Sequence, residues 1–261
     1  MGLKTIVFDI DGTLVNKSSP MIDEHIITAV KVAKTKGIKI LLATGRPLHL
    51  IDEHIITSLK PDGYVTINGQ TCFDASYSLI HDALLSPKTI KDFKRFISDH
   101  NYEFGLHTQY ESIFNLKGNM YNIIYKMLSR DHGRIIDPKD INWDQPIYTI
   151  MLYSTQEQII HQFINQHQDL RFDEFKPDCY DIFNEVANKA KGIEHFLKLW
   201  NLSWNEVLSF GDSTNDVEML QQSEWGYLIE GGPKSMEKLQ INRIPFYPRV
   251  NIAQIILEHL D

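Results

Sequence analysis

The chain has 261 residues, 43% hydrophobic and 23% charged, which is apolar enough for two compact cores in an ordinary folded protein. Its formal net charge of −8 argues against a nucleic-acid partner, and no apolar run approaches the roughly 20 residues that a membrane span requires. Two cysteines, Cys72 and Cys179, cannot build a disulfide framework, and a strand predicted at the very start leaves no room for a signal peptide, so a cytoplasmic setting is expected.

The run Lys4-Thr5-Ile6-Val7-Phe8, β-branched and aromatic between glycines, predicts a buried central strand that ends at Asp9-Ile10-Asp11-Gly12-Thr13. An amphipathic helix over 22–36 leads to a second apolar strand over 38–43, which completes a βαβ unit and ends at Thr44-Gly45-Arg46-Pro47. A helix over 47–60 follows, with Pro47 in its first turn. Next come a strand over 64–67, the turn Asn68-Gly69, and short strands around Phe73 and Leu79. The chain then runs from Thr44 to Lys189, far beyond what one crossover needs, so residues 83–184 are expected to form a second domain within a core of 1–82 and 185–261.

Within that insert the pattern predicts helices over 87–100, 119–130 and 155–167. Strands are predicted over 102–107, 112–116, 147–153, 170–175 and 180–184. They amount to a βαβ-containing sheet with helices on one face, and the loop over 131–145 carries no predicted element. Asn188-Lys189-Ala190-Lys191-Gly192 comes next. A strand over 207–210 then ends at Gly211-Asp212-Ser213-Thr214-Asn215-Asp216, and strands over 226–230 and 244–247 and a helix over 251–259 close the core. The heptapeptide Ile-Asp-Glu-His-Ile-Ile-Thr occurs at 22–28 and again at 51–57, on two core helices and without extension, so it is a shared amphipathic solution and not a solenoid repeat.

Ligands bind at the carboxyl ends of strands in an open α/β sheet, where the acidic clusters fall. Asp9 is placed to attack phosphorus as a carboxylate nucleophile, and Asp11 to protonate the leaving alcohol and deprotonate the attacking water. Gly12 permits a sharp turn and a close backbone approach that a side chain there would hinder. Thr44, through its hydroxyl, and Gly45, through its backbone N–H, can hold phosphoryl oxygens. Lys189 or Lys191 could supply a fixed ammonium. Hard oxygen ligands suit Mg²⁺, with Asp9, the backbone carbonyl of Asp11 and Asp212 as its protein shell. Asp216 is expected to support that shell or to orient the lysine, and Asn215 to touch the phosphate or a metal-bound water.

The stretch Asp9-Ile10-Asp11-Gly12-Thr13 resembles the nucleophile motif of haloacid dehalogenase superfamily phosphatases, and the other three stretches match the remaining motifs in order. The Thr-Gly-Arg form at 44–46 and Asn-Lys-x-x-Gly at 188–192 are similar to the Cof-like branch. The resemblance implies a Rossmann-like, doubly wound parallel sheet with a smaller α+β cap, inserted between the second and third motifs, that acts as a lid and carries specificity. It assigns Thr44 to phosphate binding, Arg46 to the substrate or the cap, and the clamp to Lys189. Gly231-Gly232-Pro233 departs from the family's usual Gly-Asn-Ala.

The expected function is Mg²⁺-dependent hydrolysis of a small phosphorylated metabolite, sugar phosphates favoured, through an aspartyl-phosphate. A phosphomutase on the same site, or a catalytically silent phosphate-binding module, are the alternatives.

Overall fold

The computed structural model describes residues 2–16, 19–99, 102–128, 133–230, 234–245 and 250–260. The chain divides into two compact units, one of Met1–Arg46, Ile51–Asp82 and Asn188–Asp261, the other of Ala83–Ala187 together with the short segment Pro47–Leu50.

The first unit contains β1 (Thr5–Phe8), α1 (Glu24–Thr35), β2 (Lys39–Ala43), α2 (Glu53–Leu59), β3 (Gly63–Thr66), β4 (Thr71–Asp74) and β5 (Leu79–Asp82). The second continues with α3 (Pro87–Asp99), β6 (Glu103–Thr108), β7 (Ser112–Phe114), α4 (Asn119–Leu128), β8 (Arg134–Ile135), β9 (Ile147–Tyr153), α5 (Glu157–Ile164), β10 (Leu170–Lys176) and β11 (Cys179–Asn184). The chain then returns to the first unit through α6 (Lys189–Trp200), β12 (Val207–Gly211), α7 (Val217–Gln222), β13 (Trp225–Ile229), β14 (Asn242–Ile244) and α8 (Val250–Glu258).

The sheet of the first unit runs β14-β13-β12-β1-β2-β3-β4-β5, parallel from β14 to β3 and antiparallel over β4 and β5. Val7, Leu41, Val65 and Val207 pack against Ile193 and Phe196 of α6 and Met219 of α7. Ile6, Phe8, Ile40 and Leu42 alternate with them and are equally buried, so the central strands are covered on both faces, as a Rossmann-like α/β sheet requires. Chain order reverses at β1, which lies between β2 and β12. That switch point is where an open α/β sheet leaves a crevice at its carboxyl edge.

In the second unit the sheet order is β10-β11-β9-β6-β7-β8, antiparallel except for β7 and β8. Phe104, Leu106, Ile150, Leu152, Tyr180 and Ile182 form a core with Phe93 of α3 and with Ile160 and Phe163 of α5. The expectation of helices on one face is corrected here: Met120, Tyr121 and Ile124 of α4 pack on Phe114, Met151 and Cys179, which alternate onto the opposite face. The segment predicted as a bare loop over 131–145 contributes β8, whose two residues are too few to show a period.

A second correction concerns 47–60. A tight 3-10 turn at Leu48–Leu50 comes first, and the α-helix begins only at Glu53, because Asp52 holds extended backbone angles (φ −65°, ψ 134°). Gly231-Gly232-Pro233 and the last part of the strand expected over 244–247 lie outside the described residues. Cys72 and Cys179 are both buried free thiols. No helix among the described residues is long and apolar enough to cross a membrane.

Candidate active site

Three neighbouring parallel strands, β2, β1 and β12, are followed directly by Thr44, Asp9 and Asp212. Their register is tight, with Phe8 opposite both Leu42 and Phe210, and the Asp9 N–H donates to the Phe210 carbonyl at 3.0 Å. Three sequence segments far apart along the chain thus meet at one sheet edge.

Lys189, at the first turn of α6, is 1% exposed. Its Nζ donates to Asp9 Oδ1 at 2.6 Å and to Asp216 Oδ1 at 2.7 Å. Burial alone would lower its pKa, but the Asp216 and Asp9 carboxylates outweigh that and raise it, so the ammonium stays charged. Lys191, two residues on, is exposed and lies 3.8 Å from Glu194. Of the two lysines between which spacing leaves the choice open, α6 turns Lys189 inward and leaves Lys191 outside. Asn188 fixes that start: its side chain caps the helix by accepting from the Lys191 N–H at 2.8 Å.

Asp9 is 4% exposed, and burial pushes its carboxyl well above the ordinary range, with Lys189 pulling it down and Asp216 and Asp212 adding to the rise. Burial, with Asp216, likewise pushes Asp212 up to about 7. Asp216 is wholly enclosed, and its second oxygen accepts from the N–H groups of Asp212 at 3.1 Å and Ser213 at 3.0 Å. Both Asp216 oxygens are therefore engaged by protein donors.

Oxygens of Asp9, Asp212 and Asp216 all lie within 4.8 Å of one another. Three carboxylates against one ammonium leave a deficit that a divalent cation would fill, and Asp212 Oδ1 is buried with no hydrogen-bond partner. The donors are hard oxygens, so the residues present fit Mg²⁺. Gly12 belongs to this fit. Its φ is +90°, and a β-carbon there would lie 2.1 Å from Asp212 Oδ2.

Asp11 is exposed, and its carboxylate is gripped by Arg46 through Nε and Nη2, each at 2.7 Å. Arg46 Nη1 in turn donates to Asp52 Oδ2 at 2.8 Å. Burial works against the Arg46 charge, but Asp11 and Asp52 more than compensate and raise its pKa. The sequence directs Arg46 at the substrate or the second domain; the structure puts its guanidinium on two carboxylates of its own unit. Asp52, which in the sequence is a plain helix cap, is the second of these.

Thr44 is buried, and its hydroxyl oxygen accepts from the Arg46 N–H at 3.1 Å, which leaves the hydroxyl proton to donate. Asn215 donates through Nδ2 to Asn68 Oδ1 at 2.9 Å, while its own Oδ1 is buried without a partner. Asn68, in the sequence only a turn residue, borders Gly45, whose β-carbon position is 3.2 Å from Asn68 Oδ1.

A buried carboxylate at the switch point, an ammonium bonded to it and a second carboxylate beside them suit phosphoryl transfer on an α/β fold. A family model for haloacid dehalogenase-like hydrolases matches residues 6–240, and the chain belongs to that family, in its Cof-like branch, as a phosphatase. Among curated proteins it is similar to 5-amino-6-(5-phospho-D-ribitylamino)uracil phosphatase YcsE of Bacillus subtilis, 23% identical over 225 residues that cover 86% of this chain and 82% of that one.

Among solved structures, the subclass IIB sugar phosphatase BT4131 superposes with a TM-score of 0.83 at 22% identity, covering 98% of each chain. BT1666 of Bacteroides thetaiotaomicron, from the same superfamily, superposes with a TM-score of 0.85 at 18% identity, covering 99% of this chain and 95% of its own. At these identities the structural likenesses speak for the fold.

Proposed function

We propose that this phosphatase hydrolyses small phosphorylated metabolites, sugar phosphates foremost, in the cytoplasm, in a Mg²⁺-dependent reaction through an aspartyl-phosphate on Asp9. The observation that carries the reading is the buried Asp9 carboxylate, bonded to an equally buried Lys189 at the sheet's switch point. An Asp9 oxygen attacks phosphorus, the bond from phosphorus to the substrate alcohol breaks, and Asp11 gives the alcohol its proton. Water then attacks phosphorus of the phosphoaspartate, the now deprotonated Asp11 takes a proton from that water, and the bond from phosphorus to the Asp9 oxygen breaks to release inorganic phosphate and restore Asp9.

Thr44 and the Gly45 N–H hold equatorial phosphoryl oxygens, and Lys189 offsets the charge of the nucleophile. When bound by Asp9, Asp212 and the Asp11 carbonyl, Mg²⁺ supplies neutralisation of the phosphoryl charge. Asp216 holds Lys189 and the Asp212 backbone in place. The second unit acts as the cap that selects the leaving group. Support for the substrate class comes from the phosphorylated metabolite in the name of the Bacillus relative and from the sugar phosphatase among the structural neighbours.

The test is phosphate release from a panel of phosphorylated metabolites with MgCl₂ or with chelator. Release from a narrow set, abolished by chelator and by Asp9→Asn and Asp11→Asn separately, is the expected result. Release unaffected by Asp9→Asn would exclude the covalent route, and conversion of one sugar phosphate into its isomer without phosphate release would make the enzyme a mutase.

A further inference from the structure

Three consecutive residues between β3 and β4 have left-handed backbones: Ile67 (φ 50°), Asn68 (φ 53°) and Gly69 (φ 93°). For a β-branched residue such as Ile67 this is an outlier, and outliers persist only where the surroundings overdetermine them. Here the surroundings are the catalytic segments. The Ile67 N–H donates to the Arg46 carbonyl at 3.1 Å and the Asn68 N–H to the Thr44 carbonyl at 3.0 Å, which ties the turn to the phosphate-binding loop. Gly69 presses on the start of α6: a β-carbon on it would lie 2.0 Å from the carbonyl oxygen of Asn188, the cap residue that precedes Lys189. The Asn68 side chain, 8% exposed, accepts from Asn215 Nδ2 at 2.9 Å, three residues beyond Asp212.

We infer that Asn68 is a positioning residue, which locks the Asn215 carboxamide to the Thr44-Gly45 loop so that phosphate-binding and metal-side segments are held in one frame. The strained turn places it there, and its Oδ1 is the only protein acceptor that Asn215 Nδ2 has among the described residues. With Nδ2 so engaged, the carboxamide keeps one orientation, and its buried, partnerless Oδ1 is fixed with it. Preorganisation of this kind acts on turnover more than on binding.

The test uses the full chain, and it separates backbone from side chain because glycine accepts a left-handed backbone freely. Asn68→Gly is expected to lower kcat on an aryl phosphate at least tenfold, to change KM less than threefold, and to leave the thermal midpoint close to the parent's. The double variant Asn68→Gly/Asn215→Ala is expected to be no slower than Asn215→Ala alone, since residues that act through one bond are not additive. In ¹⁵N spectra the Asn215 side-chain amide, assigned by its loss in Asn215→Ala, should exchange slowly in the parent and at the rate of a free asparagine in Asn68→Gly.

Parent-like kcat in Asn68→Gly, or multiplicative losses in the double variant, would overturn the inference. So would a parent Asn215 amide that exchanges freely, a result that stands even if Asn68→Gly does not fold or the parent releases no phosphate.

Discussion

Asp11 and Arg46 meet through two parallel charge-assisted hydrogen bonds, the geometry in which guanidinium is least replaceable by ammonium. Asp52 braces the far side of the guanidinium, so the Asp11 carboxylate is held by a side chain that is itself anchored. Arg46→Lys keeps the charge and loses the fork. We expect kcat on an aryl phosphate to fall by about 10- to 100-fold, the range of a misplaced catalytic group, with Asp52→Asn losing less because it keeps the Asp11 fork. Steady-state kinetics of the two variants checks the order. Lys189 is the opposite kind of residue, a charge with no water around it. Lys189→Met leaves Asp9 and Asp216 buried without their cation, a loss of about 3–5 kcal/mol in unfolding free energy for a broken buried pair. Burial already pushes the Asp9 carboxyl well above its ordinary range, so lower pH lets it protonate, and urea titrations should show the gap to the parent narrowing from pH 8 to pH 5.

The two copies of Ile-Asp-Glu-His-Ile-Ile-Thr show what local sequence can and cannot specify. Each begins a helix after an aspartate with nearly the same angles, φ −64°, ψ 135° at Asp23 and φ −65°, ψ 134° at Asp52. In each, the threonine hydroxyl donates to the glutamate carbonyl one turn back at 2.8 Å. The side chains of the aspartates then part: Asp23 caps its own helix at His25, whereas Asp52 turns to Arg46. Periodicity and caps are local and legible in the sequence; a carboxylate's choice between its own helix and a distant guanidinium is tertiary and is not. For the same reason the three candidate stretches at strand ends are legible in the sequence, while Asn68 passes for a turn. Cross-strand pairs belong to this scale too. Asp181 on β11 faces Asp173 on β10, and burial, with that neighbour, raises its carboxyl to about 7 from 3.8. The folded chain therefore holds the proton more tightly than the unfolded one, and the stability this lends at low pH is lost as pH rises through about 7. Asp181→Asn keeps the neutral form at every pH. Its advantage over the parent should grow from about pH 4 to pH 7 and then level off, at about 1–2 kcal/mol for a half-buried group, as read from urea midpoints across pH.

At the scale of the chain, the two units have separate apolar cores. One is built around Val7, Leu41, Ile193 and Phe196, the other around Phe93, Phe104, Ile150 and Ile182. That an insert exists is legible because no single crossover fills the stretch from Thr44 to Lys189; that Pro47–Leu50 groups with the insert is not, since four residues carry no pattern. Asp9, Asp212, Asp216 and Lys189 all belong to the first unit, which is assembled from segments on either side of the second. Separate cores unfold separately unless their interface is large, and a ligand stabilises only the unit that binds it. Calorimetry is therefore expected to show two transitions. Mg²⁺ at a hundred times its Kd should raise only one of them, by the equivalent of about 2.7 kcal/mol, because it relieves the repulsion among buried carboxylates in the first unit. Asp212→Asn should abolish that shift and leave the other transition where it was. A single transition that shifts as a whole would mean that the units unfold as one body, and no shift at all would remove the cation from this carboxylate cluster.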